Sequence, residues 1–166
     1  MTDKIFGEVE YEEDYGYTAS RNVVFLGIEQ TADIFIEYDD DAESITDFQR
    51  SAYKALMDNW DAIQHKIANA ILSYYNHDEK YSYGPDDEEE SALWWPDIET
   101  EDELAGKIHL DSIVISTEYI MESKGKDPVY VLFDRDWGGD DGDDNGVAVL
   151  IENGEVTEVG YKNIAY

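Results

Sequence analysis

The residues able to hold a metal ion or run acid–base chemistry fall into a few short stretches. Asp141-Gly142-Asp143-Asp144-Asn145-Gly146, with Glu152 further on, fits the calcium-loop pattern D-x-[DN]-x-[DN]-G-x5-E. Calcium takes about six to eight oxygen ligands. Asp141, Asp143, Asn145 and Glu152 would supply side-chain donors, with Gly146 at the sharp turn. The flanks read as strands, whereas an EF-hand needs helices there. An extended run from Gly146 to Ile151 would carry Glu152 about 20 Å from the loop, at about 3.3 Å per residue. Asp134 and Asp136 stand on the other side as substitute donors. The alternative is a solvated acidic hairpin loop, so the expectation is weak calcium binding at most and no resident cofactor.

Catalytic machinery finds little support. His65, His77 and His109 form no HExxH or HxH arrangement. There is no GxSxG elbow, no phosphate-binding loop and no GxGxxG. Carboxylates are so numerous that any two could be drawn as an acid–base couple, and solvated carboxylates are the simpler reading. No catalytic residue is assigned, and the expectation is a protein that is not an enzyme. The absence of cysteine removes disulfides and Cys-ligated metals.

Charge and aromatic content say more. Eleven Lys and Arg stand against forty-one Asp and Glu, a formal net charge of −30 over 166 residues. Phosphate backbones and anionic membranes are recognised by Lys/Arg clusters, so nucleic acid and membrane are excluded as expected partners. The apolar runs are far shorter than the ~20 residues that span a bilayer. The N-terminal residues Met1 to Phe6 lack a basic and apolar leader, so the cytoplasm is the expected location. Between Asp86 and Glu103 there are ten acids and no base, and Asp86-Asp87-Glu88-Glu89-Glu90 is followed closely by Trp94-Trp95. Acids steer a basic partner from a distance, and Trp side chains bury large areas at contact. Asp86, Asp87, Glu88, Glu89, Glu90, Trp94 and Trp95 are therefore the candidate partner-binding residues. For Trp94-Trp95, a core role is an equal alternative.

The elements that must position these residues follow from periodicity. Ile5–Tyr11, Asn22–Ile28 and Ala32–Tyr38 read as strands, with Glu29-Gln30-Thr31 as a hairpin connection and Ile34, Ile36 and Tyr38 on one face. Thr46 and Gln49 form a capping-box pattern, with Asp47 in the first turn. Tyr53, Leu56, Trp60, Ile63, Ile67, Ile71 and Tyr74 then recur every three or four residues. That spacing describes one long helix, or two helices broken near Asn59, ending at Asn76-His77-Asp78. An acidic loop at about 78–103 follows, with Thr100 placed to cap a short helical turn ending at Gly106. Lys107–Thr117, Val129–Phe133, Gly146–Ile151 and Val156–Tyr161 read as strands, the last pair joined by Asn153-Gly154. The expected fold is a single α+β domain over 1–166, a mainly antiparallel sheet packed on one long helix or a helix pair.

Two groups of segments resemble an uncharacterised family of small bacterial cytosolic proteins, a domain-of-unknown-function family. The first runs from Ile45-Thr46-Asp47-Phe48-Gln49 through Ala52-Tyr53 to Ala70-Ile71-Leu72-Ser73-Tyr74-Tyr75. It is similar to that family's helix, which opens with Thr-x-x-Gln and closes on an aromatic pair. The second is Phe133-Asp134-Arg135-Asp136-Trp137, then Gly146-Val147-Ala148-Val149 and Val159-Gly160. It resembles the family's strand, Trp-Asp-x-Glu-His-Gly-type loop and Gly-x-Val strand. This chain carries Gly138-Gly139-Asp140 in that loop, so no histidine is present there and no role for one is carried over. Some members sit beside polymorphic toxins, so the resemblance implies a toxin-immunity role. The leading expectation is a non-enzymatic acidic binding module for a basic protein, such as a nuclease-type toxin domain. The competing expectations are a calcium-binding structural domain and a protein whose acidity is a solvent adaptation.

Overall fold

The computed structural model describes residues 1–38, 44–80, 89, 93–139 and 145–166. Seven strands form one sheet, and its spatial order is the order of the chain. These are β3 (Glu10–Glu12), β4 (Gly16–Phe25), β5 (Ile28–Ile36), β6 (Ile108–Ile115), β7 (Val129–Arg135), β8 (Val147–Glu152) and β9 (Glu155–Gly160). Before them, β1 (Thr2–Asp3) and β2 (Gly7–Glu8) form a separate small ribbon. Between β5 and β6 lie α1 (Asp47–Asp58), α2 (Trp60–Tyr74), a π-helical turn (Tyr75–Glu79) and α3 (Glu101–Ala105). A short 3₁₀ turn, Lys162–Ala165, follows β9. In the sheet, β5 alternates apolar and polar residues, whereas β7 and β8 are continuously apolar over 129–133 and 147–151.

The α+β class holds, but the sheet is mixed rather than mainly antiparallel. β5 and β6 pair in parallel, with Asp33 opposite Ser112 and Ile36 opposite Ile115. The other neighbouring strands of this sheet all pair antiparallel. The helical excursion is long enough to return the chain to the same end of the sheet, which parallel pairing requires. Nor is there one long helix. Asn59, at φ −114° and ψ 15°, closes α1 and precedes α2. The capping box at Thr46 and Gln49 forms as the sequence implied. Thr100 likewise caps α3, its side chain accepting from the Glu103 amide.

The first hairpin turns earlier than the pattern suggested. Leu26 and Gly27 form the turn at φ 49° and 83°, and Glu29, Gln30 and Thr31 lie within β5. Both residues are left-handed, the geometry that a tight two-residue hairpin demands. The α2 helix holds this tip in place. The Leu26 amide donates to Gln64 Oε1 at 2.9 Å, and the Trp60 indole donates to the Val24 carbonyl at 2.8 Å. The segment Ile5–Tyr11 is likewise not one strand but holds β2 and the start of β3, and Tyr38 lies exposed beyond the end of β5.

The sheet separates two apolar clusters. Ile34, Ile36, Ile113, Val131, Phe133 and Val149 point toward the helices and join Leu56, Ile63, Ile67 and Ile71 in the main core. Val114, Tyr130, Leu132, Ala148 and Leu150 point the other way, where Met121 and Ala165 cover them. The register shift between Leu110 and Ser112 in β6 is a bulge. It changes phase, so Ile108 and Leu110 before it and Ile113 and Ile115 after it all face the helices.

Candidate functional site

The site begins with a break in helical period. Trp60, Ile63, Ile67 and Ile71 form the inward face of α2, and Tyr74 should continue it. Tyr75 takes that place instead, four residues after Ile71 and with its amide donating to the Ile71 carbonyl, and the π turn that begins there, Tyr75–Glu79, brings Glu79 to the same buried side. From the sheet, β7 carries Val129, Val131 and Phe133 on its inward parity, and Arg135 comes next on that face. The Arg135 guanidinium therefore meets the Glu79 carboxylate in the interior, with side chains 2% and 0% exposed.

Aromatic rings enclose this ion pair. The Trp137 indole donates to Glu79 Oε2 at 3.3 Å. The guanidinium lies 5.6 Å from the Trp137 ring centroid and 5.0 Å from that of Tyr161. Tyr75 meets Trp137 edge-on at 5.0 Å and stacks on Trp95 at 6.2 Å, with an interplanar angle of 14°. Its hydroxyl donates to the Pro96 carbonyl at 2.6 Å. Gly138, at φ +87°, allows the close approach, since a Cβ there would stand 2.8 Å from the guanidinium. Burial pushes the Tyr75 hydroxyl far above its ordinary range and draws the Arg135 guanidinium down.

Beside this interior base, the described residues that border the two acidic stretches are tied together. The Gly138 amide donates to the Trp94 carbonyl at 2.8 Å, tying residues 136–139 to the segment beginning at Leu93. Asn76 donates to the Ile98 carbonyl at 2.9 Å, and Lys80 pairs with Asp97 at 2.8 Å. The point where the acidic loop leaves the helix and the point where it returns are thus fastened to each other. Trp94 is 37% exposed on this platform, whereas Trp95 is 8% exposed and forms its inner wall. Of the two tryptophans that the sequence offered together as partner anchors, only Trp94 is turned outward.

Asp86, Asp87, Glu88 and Glu90 lie outside the described residues, and Glu89 is exposed. Asp141 and Asp143 also lie outside them. Asn145 and Glu152 are described, and they stand at opposite ends of β8. Glu152 is committed elsewhere, with one oxygen accepting from the Gly125 amide at 2.6 Å and the other from the Thr157 hydroxyl. These hydrogen bonds hold the Glu152 carboxyl below its ordinary value. The geometry does not bring Asn145 and Glu152 together as shared ligands. Asp134 is engaged with Lys162, and Asp136 faces His109 at 3.4 Å. Among the described residues no group of three or more His, Cys, Asp or Glu is gathered in a way that could hold a metal ion.

Sequence reasoning quoted Tyr75, Arg135 and Trp137 only as parts of family-like segments, with no role assigned, and passed over Glu79. One signal was available: Val129, Val131, Phe133 and Arg135 share a period of two, and a charge on an inward strand position must find a partner. The position of that partner depended on the π turn, which no local pattern announces.

Among the described residues, no helix is long and apolar enough to cross a membrane. A family model described as Domain of unknown function (DUF6985) matches residues 5–166, and the chain belongs to that family. No curated protein and no solved structure matches the chain.

Proposed function

We propose that this family member is a non-enzymatic acidic binding module, and that it neutralises a basic protein in the manner of a toxin-immunity protein of bacterial cytoplasm. The observation that carries the reading is Trp94. It is an outward tryptophan whose carbonyl is held by Gly138 and whose neighbour Trp95 is locked on Tyr75. An anchor fixed before contact loses little conformational freedom on binding. Its setting is the acidic stretch Asp86–Glu103, in a chain of net charge −30. Long-range attraction would bring in a cationic domain, and Trp94 would prolong its stay. A nuclease-type toxin fits the sign, because a cleft that grips nucleic acid is itself basic.

The test uses the basic protein encoded beside this chain, or one recovered with it from native cells, in kinetic binding measurements. Neutralising Asp86–Glu90 to Asn and Gln should slow association by about tenfold and flatten its salt dependence. Trp94→Ala should leave association nearly unchanged and speed dissociation by about tenfold or more. Trp95→Ala should act by loosening the platform, and so should lower the melting temperature as well. If no basic partner exists, or its complex is indifferent to both surface changes, the reading fails.

A further inference from the structure

One edge of the sheet is open along part of its length. β3 pairs with β4 only at Gly16, Tyr17 and Thr18, and Val9, just before β3, bonds with Met1 instead. Among the described residues no strand lies beside that edge of β4 over 19–25. The hairpin decides which backbone groups it presents. Phe25 and Ile28 flank the two-residue turn and so exchange both their hydrogen bonds. In the same register Val23, Arg21 and Ala19 do so with Gln30, Ala32 and Ile34. The amides and carbonyls of Ser20, Asn22 and Val24 therefore point away from β5. Two of these carbonyls have side-chain donors, Arg21 Nη1 on Ser20 at 2.7 Å and the Trp60 indole on Val24 at 2.8 Å. The three amides and the Asn22 carbonyl have no partner among the described residues. Val24 is 48% exposed, so no element covers this stretch.

Beside the open stretch, the sheet face turned away from the helices is acidic. Asp33 stands opposite Ser20, and Glu29 stands opposite Val24. At Ser20 the edge meets a trough of about 500 Å³ between the terminal ribbon and β4, with Glu8, Glu10, Glu12 and Asp33 among its lining residues. Hydroxyls aim three of these carboxylates: Thr2 donates to Glu8, Thr18 to Glu12 at 3.0 Å and Ser20 to Asp33 at 2.7 Å. Among the described residues none of these four, nor Glu29, has an ion pair. Two cations stand near, and both are engaged with carbonyls. Arg21 shares the helix-side face with Ala32 and bonds the Ser20 and Glu8 carbonyls, and the Met1 ammonium bonds that of Val9 at 3.1 Å.

We infer that this edge of β4 takes an extended basic segment of another protein as an added strand, with its Lys or Arg side chains against Asp33, Glu29 and the carboxylates of the trough. The open backbone groups call for an extended chain, and the charge beside them selects its sign. A second copy is disfavoured, since it would set Glu29 and Asp33 against their own kind between chains of charge −30. Successive side chains of a strand point to opposite faces, so a cation at every second position meets the acidic face. Main-chain bonds then hold the segment, and the alternate side chains discriminate between segments. The place is separate from Trp94, which is fastened to Gly138 past the end of β7. Only the sign of the partner is common to the two readings.

An NMR titration of the whole chain with a short capped peptide of alternating Lys and Val tests this. In the free protein the amides of Ser20, Asn22 and Val24 should exchange with solvent faster than those of Ala19, Arg21 and Val23. The peptide should shift the first three and slow their exchange, and a Glu–Val peptide should not. Asn22→Pro deletes a donor that β5 does not use, so the strand tolerates it while peptide affinity should fall by at least about tenfold. Asn22→Ala keeps that amide and should bind as wild type does. Glu29→Gln with Asp33→Asn should weaken binding by about tenfold at low salt. No binding at millimolar peptide overturns the inference. So does a peptide that binds Asn22→Pro undiminished, or that binds equally well with its own backbone amides methylated, because charge alone then holds it. Trp94 is intact in every variant, so the two readings fail separately.

Discussion

Two arginine–carboxylate pairs, one at each end of the molecule, use the same chemistry in opposite surroundings. Arg50 on α1 meets Asp3 at 2.8 Å with its own side chain still 21% exposed. Asp3 Oδ1 also accepts from the amides of Ile5 at 2.8 Å and Phe6 at 3.0 Å. Arg135 and Glu79 have no such access to water and are walled by Trp137, Tyr161 and Tyr75. The first pair fastens a ribbon to the body. The second is a dependency: each partner is tolerable in the interior only while the other is present.

The largest effect should come from breaking the interior pair. Glu79→Gln or Arg135→Met alone should cost about 3–5 kcal/mol in urea unfolding, because a lone charge is left in an apolar site. Glu79→Leu combined with Arg135→Met should recover most of that loss, since a buried pair is often replaceable by apolar residues of similar volume. A single variant costing under about 1 kcal/mol would show that water reaches the pair.

Breaking the outer pair should cost less and depend on pH. Burial alone would lift the Asp3 carboxyl, but Arg50 and the Ile5 and Phe6 amides outweigh it and hold the group below its ordinary 3.8. A depressed acid stabilises the fold above its unfolded value, and that contribution disappears as pH falls through the folded value. Asp3→Asn should therefore cost about 1.5–3 kcal/mol at pH 7. The gap to wild type should narrow through the acid range below pH 3.8, and a gap constant with pH would sink the assignment.

The smallest effect has the opposite sign. Glu37 is a partly buried carboxylate with no arginine near it. Burial raises it above its ordinary 4.5, and the Ser116 hydroxyl and Thr117 amide return only part of the shift. A raised acid favours the fold at low pH and loses that advantage as pH rises through its folded value. Glu37→Gln should raise the melting temperature by a few degrees at pH 7, with the gain vanishing below pH 4.5. Together with the other two, it separates burial with an ion partner from burial without one.

The same contrast explains what could be read from the sequence. Thr46 and Gln49 announced a helix start because a capping box is local. Asn153-Gly154 announced a hairpin because that turn needs two left-handed residues, and here they sit at φ 53° and 74°. The Leu26-Gly27 turn was hidden because leucine seldom adopts φ 49°, and it is held there by Gln64 from a distant helix. The parallel seam between β5 and β6 was hidden for the same kind of reason, since nothing in either strand states which way its neighbour runs. At the site, acidity and paired tryptophans were legible as composition. Which tryptophan faces outward was decided by the stacking of Trp95 on Tyr75, and the depth of Glu79 beside it by a turn of π helix.

The β5–β6 seam also orders events in time. Every other pairing in the main sheet joins neighbours in the chain by a return of far fewer residues, so each can form as soon as its two strands exist. The seam instead joins residues such as Gln30 and Leu110, eighty apart in sequence. Such a closure is entropically slower than a hairpin, since its cost grows with the length of chain enclosed. During synthesis at about 5–20 residues per second, β5 is finished several seconds before β6 emerges. For that interval Ile34 and Ile36 stand on a strand with one open edge, a template for wrong pairing. The dense charge of this chain then has a task before any partner arrives: like-charged nascent chains repel, and the open edge waits for its own sixth strand.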